Sequence, residues 1–162
     1  MTREKRFCDG SGVLSGNPVD SPTAAQKEED DAQLTLMRVG WGKENPASRQ
    51  LYTSQLLPDA TKKQADWFNE LQRLSVSPET AVRIHGVTGD YDVTGLLPHV
   101  SVPTLVLHAR EDAMVPFEAG RRMAAGIPGA RLVPLQGRNH LFLESEPAFG
   151  QFLEQARAFL GT

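Results

Sequence analysis

Two residues in this chain are placed to do proton chemistry together. Asp112 lies in the segment His108-Ala-Arg-Glu-Asp-Ala-Met-Val-Pro116, and His140 closes the segment Gln136-Gly-Arg-Asn-His140. Each segment follows an apolar, β-rich run. If those runs are adjacent parallel strands, their carboxyl ends emerge at one edge of a sheet, where open α/β sheets place ligands. An acid and an imidazole delivered there can meet side chain to side chain. The carboxylate then fixes one imidazole tautomer and stabilises the imidazolium formed on proton transfer. The same residues also have a plainer reading, in which Asp112 caps a turn and His140 is an ordinary loop histidine. Spacing alone leaves both open.

The elements that would position the pair can be read around them. Val102-Pro-Thr-Leu-Val-Leu-His108 is nearly all apolar, as expected of a parallel strand covered on both faces. Ala130-Arg-Leu-Val-Pro-Leu135 is a second strand, and its internal Pro134 marks it as an edge. Phe117 to Gly126 between them reads as a helix. Glu146-Pro147 then opens the strongest helical pattern, with Phe149, Phe152, Leu153, Ala156, Phe159 and Leu160 on one stripe. Strand, helix, strand, helix is α/β grammar.

Upstream the signals are helical. Thr23 to Val39 forms a first helix, with Leu34, Met37 and Trp41 at helical spacing. Asn45-Pro46 opens a second, ending near Leu57. Thr61 and Gln64 make a capping-box pattern for a third, which carries Trp67, Phe68, Leu71 and Leu74 on one face. Ser77-Pro78-Glu79 starts a fourth that fades near Gly86. Residues 1–22, with Gly10, Gly12, Gly16, Pro18 and Pro22, read as a flexible segment. The organisation is therefore 1–22 flexible, 23–100 helical and 101–162 an α/β unit, a chain mostly helical by residue count with few parallel strands.

Composition excludes several classes. With 162 residues, 40% apolar, the chain is long enough for a domain with a real core. The 17 Lys and Arg against 20 Asp and Glu, a net charge of −3, lack the basic footprint of a nucleic-acid binder. One cysteine, Cys8, excludes an internal disulfide and fits a reducing compartment. No run approaches the ~18 apolar residues of a membrane span, and no secretory signal is seen. A cytoplasmic protein is expected, with a small-molecule substrate or ligand and no nucleic-acid or membrane partner. No cofactor is called for. His108 and Asp112 have i, i+4 spacing but too few companions for a metal site. The glycines at 10, 12 and 16 follow no strand, so they make no phosphate loop.

The spaced series Val102 to Asp112, Val115-Pro116, Ile127-Pro-Gly-Ala-Arg-Leu-Val-Pro-Leu135, Asn139-His140 and the closing amphipathic helix resembles the end of an α/β-hydrolase. The match covers about residues 102 to 160. The resemblance implies that Asp112 and His140 are the acid and histidine of a catalytic triad. It implies that the helices over 23–100 sit where the family inserts a lid over a substrate pocket, with Trp41, Val115 and Leu141 as pocket candidates. Aromatics such as Trp41, Tyr52, Trp67 and Phe68 at helical spacing are more often plain core than pocket lining. Met37-Arg-Val-Gly-Trp-Gly42 and Leu71-Gln-Arg-Leu-Ser75 also resemble hydrolase-like domains attached to bacterial signalling or transcription proteins.

One part of the family pattern is missing. Its triad runs nucleophile, acid, histidine, with the nucleophile on a G-x-S-x-G turn. None of the serines at 11, 15, 21, 48, 54, 75, 77, 101 and 145 has that setting. The nucleophile is absent, and the chain reads as lid plus last two strands. Two parallel strands alone make a marginal sheet. An open strand edge is then expected to take up an N-terminal chain that carries the nucleophile, or a second copy. The functional expectation is an ester-type hydrolase protein that supplies acid and base but is inactive alone. The alternative is a non-catalytic ligand-binding or regulatory module of a bacterial signalling or transcription protein.

Overall fold

Alternation of side chains along a strand gives a two-stranded sheet two faces to bury, and here a helix covers each. In the computed structural model, which describes residues 24–88 and 92–161, β1 (Leu105–Ala109) and β2 (Arg131–Leu135) pair in parallel, from Leu105 opposite Arg131 to Ala109 opposite Leu135. All five residues of β1 are buried. On one face Leu105, Leu107 and Leu135 pack with Ala148, Phe152 and Phe159 of the C-terminal helix Pro147–Leu160. On the other, His108 meets the helix Phe117–Gly126 so closely that a Cβ on Gly120 would lie 2.6 Å from the imidazole Nδ1. Only glycine allows this approach of helix to strand. These two helices are α5 and α6 in chain order.

The four helices before the sheet are α1 (Ala24–Gly40), α2 (Ala47–Leu56), α3 (Lys62–Ser75) and α4 (Pro78–Thr88). A short 3-10 helix, Thr94–His99, leads to the sheet. The local signals act as the sequence indicates. The Asn45 side chain accepts from the Ala47 N–H at 3.0 Å, and Thr61 with Gln64 forms a complete capping box. Helix α4 runs two residues past Gly86. The segment 1–22, Cys8, and the expected helix start at Thr23 lie outside the described residues.

The helical half has its own core. Met37, Trp41 and Ala81 are buried, with Tyr52, Val76 and Val82 against them. Trp41, just past the end of α1, is therefore a core side chain with Met37 and Ala81, set edge-on to Tyr52 at 6.2 Å. Helix α3 reverses its expected polarity. Trp67, Leu71 and Leu74 are 60%, 42% and 68% exposed, while Asn69 and Gln72 are buried. The reason is the polar seam between α2 and α3. The Thr53 hydroxyl donates to Asn69 at 2.7 Å and accepts from Gln72 at 2.7 Å. Asn69 in turn donates to Gln50 at 2.7 Å. With that network inside, the apolar stripe of α3 must face out.

Arg49 is the buried keystone of this half. At 1% exposure it donates to the carbonyls of Trp41, Lys43, Glu44 and Asn69. A guanidinium is the one side chain with five donors in a fixed fork, which lets it close the α1–α2 turn onto α3. Arg49→Ala would strand several buried carbonyls, at a cost of about 3 kcal/mol. Arg49→Lys, with a single ammonium, should recover only part of it. Urea unfolding midpoints of the two variants against the parent chain check this order.

Candidate functional site

The pairing of β1 with β2 continues into the loops that leave them. The Arg110 N–H donates to the Leu135 carbonyl at 2.9 Å, Glu111 to Gly137 at 3.3 Å, and Ala113 to Arg138 at 3.0 Å. Gly137 has φ 139°, a conformation that turns the chain out of β2 and that side chains rarely adopt. The two loops thus run side by side, and Asp112 and His140 face each other across them.

His140 Nδ1 lies 2.8 Å from Asp112 Oδ2. A carboxylate only accepts, so Nδ1 carries the proton and donates it. In the neutral ring Nε2 is then the basic nitrogen, and among the described residues it has no hydrogen-bond partner. The other oxygen of Asp112, Oδ1, accepts the N–H groups of Met114 and Val115, each at 2.9 Å. The turn-cap reading and the histidine-partner reading of Asp112 thus describe one carboxylate, one oxygen for each task. The side chains are 4% and 11% exposed.

His108, on β1, stands behind the carboxylate with Nε2 3.6 Å from Oδ2. That nitrogen donates to the Val115 carbonyl at 3.0 Å, so it carries a proton and has no lone pair for a metal. Among the described residues no group of three or more His, Cys, Asp or Glu side chains is arranged to hold a metal ion. Of the pocket candidates, Val115 is buried and serves the Asp112 loop with both its backbone groups. Leu141, half-buried beside His140, donates its N–H to the Leu56 carbonyl at 3.3 Å. Trp41 belongs to the helical core described above.

The His140 loop is held from the helical half as well. The His140 N–H donates to the Leu56 carbonyl at 2.9 Å. Asn139, fully buried, accepts from the Asp59 N–H at 2.9 Å. These residues escaped the sequence reading because their partners lie about 80 positions away, where no local spacing rule reaches. The adjacency of a second polar side chain to His140, in a stretch that must be buried, was the only available signal.

Comparison with known proteins now decides the fold. A family model described as TAP-like protein, Abhydrolase_4, matches residues 83–155. The esterase of Exiguobacterium antarcticum superposes with a TM-score of 0.74 over 94% of this chain and 55% of its own, at 18% identity. The chain resembles α/β-hydrolases in sequence and shares their fold. It carries the C-terminal part of the α/β-hydrolase fold. A bromoperoxidase from Bacillus anthracis gives a TM-score of 0.71 at 20% identity, over 98% of this chain and 58% of that one. In sequence, the AB hydrolase superfamily protein YisY of Bacillus subtilis (strain 168) is 25% identical over 136 residues, 83% of this chain and 49% of YisY. The chain thus spans about half the length of these relatives. No described helix is long and apolar enough to cross a membrane.

The charge state of Asp112 follows from its surroundings. Burial by itself raises the carboxyl, but the His140 hydrogen bond, the Val115 and Met114 amides and the His140 charge outweigh it, and its pKa lies below the usual value. A carboxyl lowered in the folded state stabilises the fold above its unfolded value, and loses that contribution as pH falls through the folded one. Stability of the parent chain should therefore drop below about pH 4. In Asp112→Asn this part of the acid-side loss should vanish. Urea midpoints measured from pH 7 down to pH 3 compare the two slopes.

Proposed function

We propose that this chain supplies the acid and the base of an ester-type hydrolase triad. The observation that carries the reading is the 2.8 Å bond from His140 Nδ1 to a carboxylate already fixed by two backbone amides. In that arrangement Nε2 takes the proton of an attacking hydroxyl as it adds to an ester carbonyl. Asp112 stabilises the imidazolium, which then protonates the leaving alcohol. The hydroxyl and the oxyanion donors come from a nucleophile-bearing segment outside these 162 residues, which hold no G-x-S-x-G turn. The other edge of β1 suits a parallel strand from that segment, because β1 is buried on both faces but among the described residues pairs only with β2. The α1–α4 helices act as the lid over a small-molecule pocket at the Asp112–His140 end.

A second reading draws on the same missing turn. The chain is then a non-catalytic module that binds a small ligand for a bacterial signalling or transcription protein. Turnover separates the two. Co-expressed with the polypeptide encoded immediately upstream, the chain should hydrolyse an aryl ester, and the chain alone should not. His140→Ala should lower that turnover by about a thousandfold or more, and Asp112→Asn by a comparable factor. Turnover unaffected by His140→Ala would end the catalytic reading.

A further inference from the structure

The carboxylate and the imidazole are not held in the same way. Asp112 is fixed by amides of its own loop, so its position is decided within four residues. His140 sits in residues 136–146, between the end of β2 and the start of α6, with no regular structure to set its ring. What sets it is Asn139, 1% exposed. Its Oδ1 accepts the Asp59 N–H of the α2–α3 turn at 2.9 Å. Its Nδ2 donates to Glu146 Oε1 at 2.6 Å, ahead of α6. The same Glu146 oxygen accepts the Leu143 N–H at 2.9 Å, which closes the far side of the loop. On the near side, the His140 and Leu141 N–H groups share the Leu56 carbonyl at the end of α2.

We infer that Asn139 is a positioning residue for His140, through which the helical half sets the angle of the imidazole against Asp112. Its functional meaning rests on the triad reading above, but its geometry does not. The residue type is specific. A carboxamide offers an acceptor oxygen to the Asp59 N–H and a donor nitrogen to the Glu146 carboxylate on separate atoms of one short side chain. An aspartate of the same shape would set two carboxylates in contact. A leucine would leave a buried N–H and a carboxylate oxygen without partners. Among the described residues the helices α1–α4 pack among themselves and make no packing contact with β1, β2, α5 or α6; in the helical half it is the Thr94–His99 helix that touches α5. The α2–α3 turn and the His140 loop are therefore where a displacement of the helical half reaches the imidazole.

Proton NMR of the full chain tests this without any need for turnover. The His140 Nδ1 proton, bonded to a carboxylate, should resonate far downfield of the amides and be assigned by its loss in His140→Gln. In Asn139→Asp that resonance should disappear, and exchange of the His140 and Leu141 amides should quicken by about tenfold or more. Asn139→Ala, which brings no second carboxylate, should lose both as well, whereas Glu146→Gln, whose amide oxygen still accepts from Asn139 and Leu143, should keep both. A resonance unmoved in either Asn139 variant overturns the inference, as does its loss in a folded Glu146→Gln. A parent chain with the resonance intact but no esterase role sinks the triad reading alone.

Discussion

The site depends on the parallel register of β1 and β2. Because Ala109 stands opposite Leu135, the two chains leave the sheet at the same level, and their loops stay hydrogen-bonded for several residues beyond it. Asp112 comes three residues after β1 and His140 five after β2. A one-residue slip would turn every side chain of a strand to the opposite face and uncouple the two loops. The apolar contacts of Leu105, Leu107 and Leu135 with α6, and the seat of α5 on His108, make such a slip costly. The packing of the sheet and the geometry of the acid–imidazole pair are thus one constraint.

A second level of control comes from the helical half. Its own stability rests on buried polar chemistry as much as on apolar packing. Arg49 gathers the carbonyls around the α1–α2 turn, and Thr53, Asn69 and Gln72 form the seam that follows. From the end of that assembly, Leu56 and Asp59 reach the histidine loop. The carboxylate is held locally, and the imidazole is held across about 80 residues of sequence. The histidine is accordingly the member of the pair whose orientation is open to adjustment from elsewhere in the molecule.

Much of this was legible in the sequence where the signal was local. The capping box at Thr61 and Gln64, the span Phe117–Gly126 and the apolar run of β1 carry their own instructions within a few residues. The meeting of Asp112 with His140 could be anticipated because consecutive parallel strands force it. The failures were of another kind. Trp67, Leu71 and Leu74 have the spacing of a core stripe, yet face outward, because tertiary polar partners claimed the opposite face of α3. Helical periodicity reports that a face is apolar, not which neighbour it meets. The roles of Arg49 and Asn139 are hidden in the sequence for a related reason. A buried polar residue looks like a surface one until its distant partners are known.

Pro134 has a consequence for how the sheet is built. In a parallel pair, alternate residues of a strand point their amides at the partner. Arg131 donates toward β1, to the Thr104 carbonyl, so Leu132 and Pro134 direct their backbone nitrogens to the opposite border. Proline has no hydrogen there to give. The outer margin of β2 is therefore chemically blunted in mid-strand, and β1 occupies the side on which lateral extension meets no such defect. Among the described residues the sheet is thus finished on one flank, while its opposite flank carries no such block.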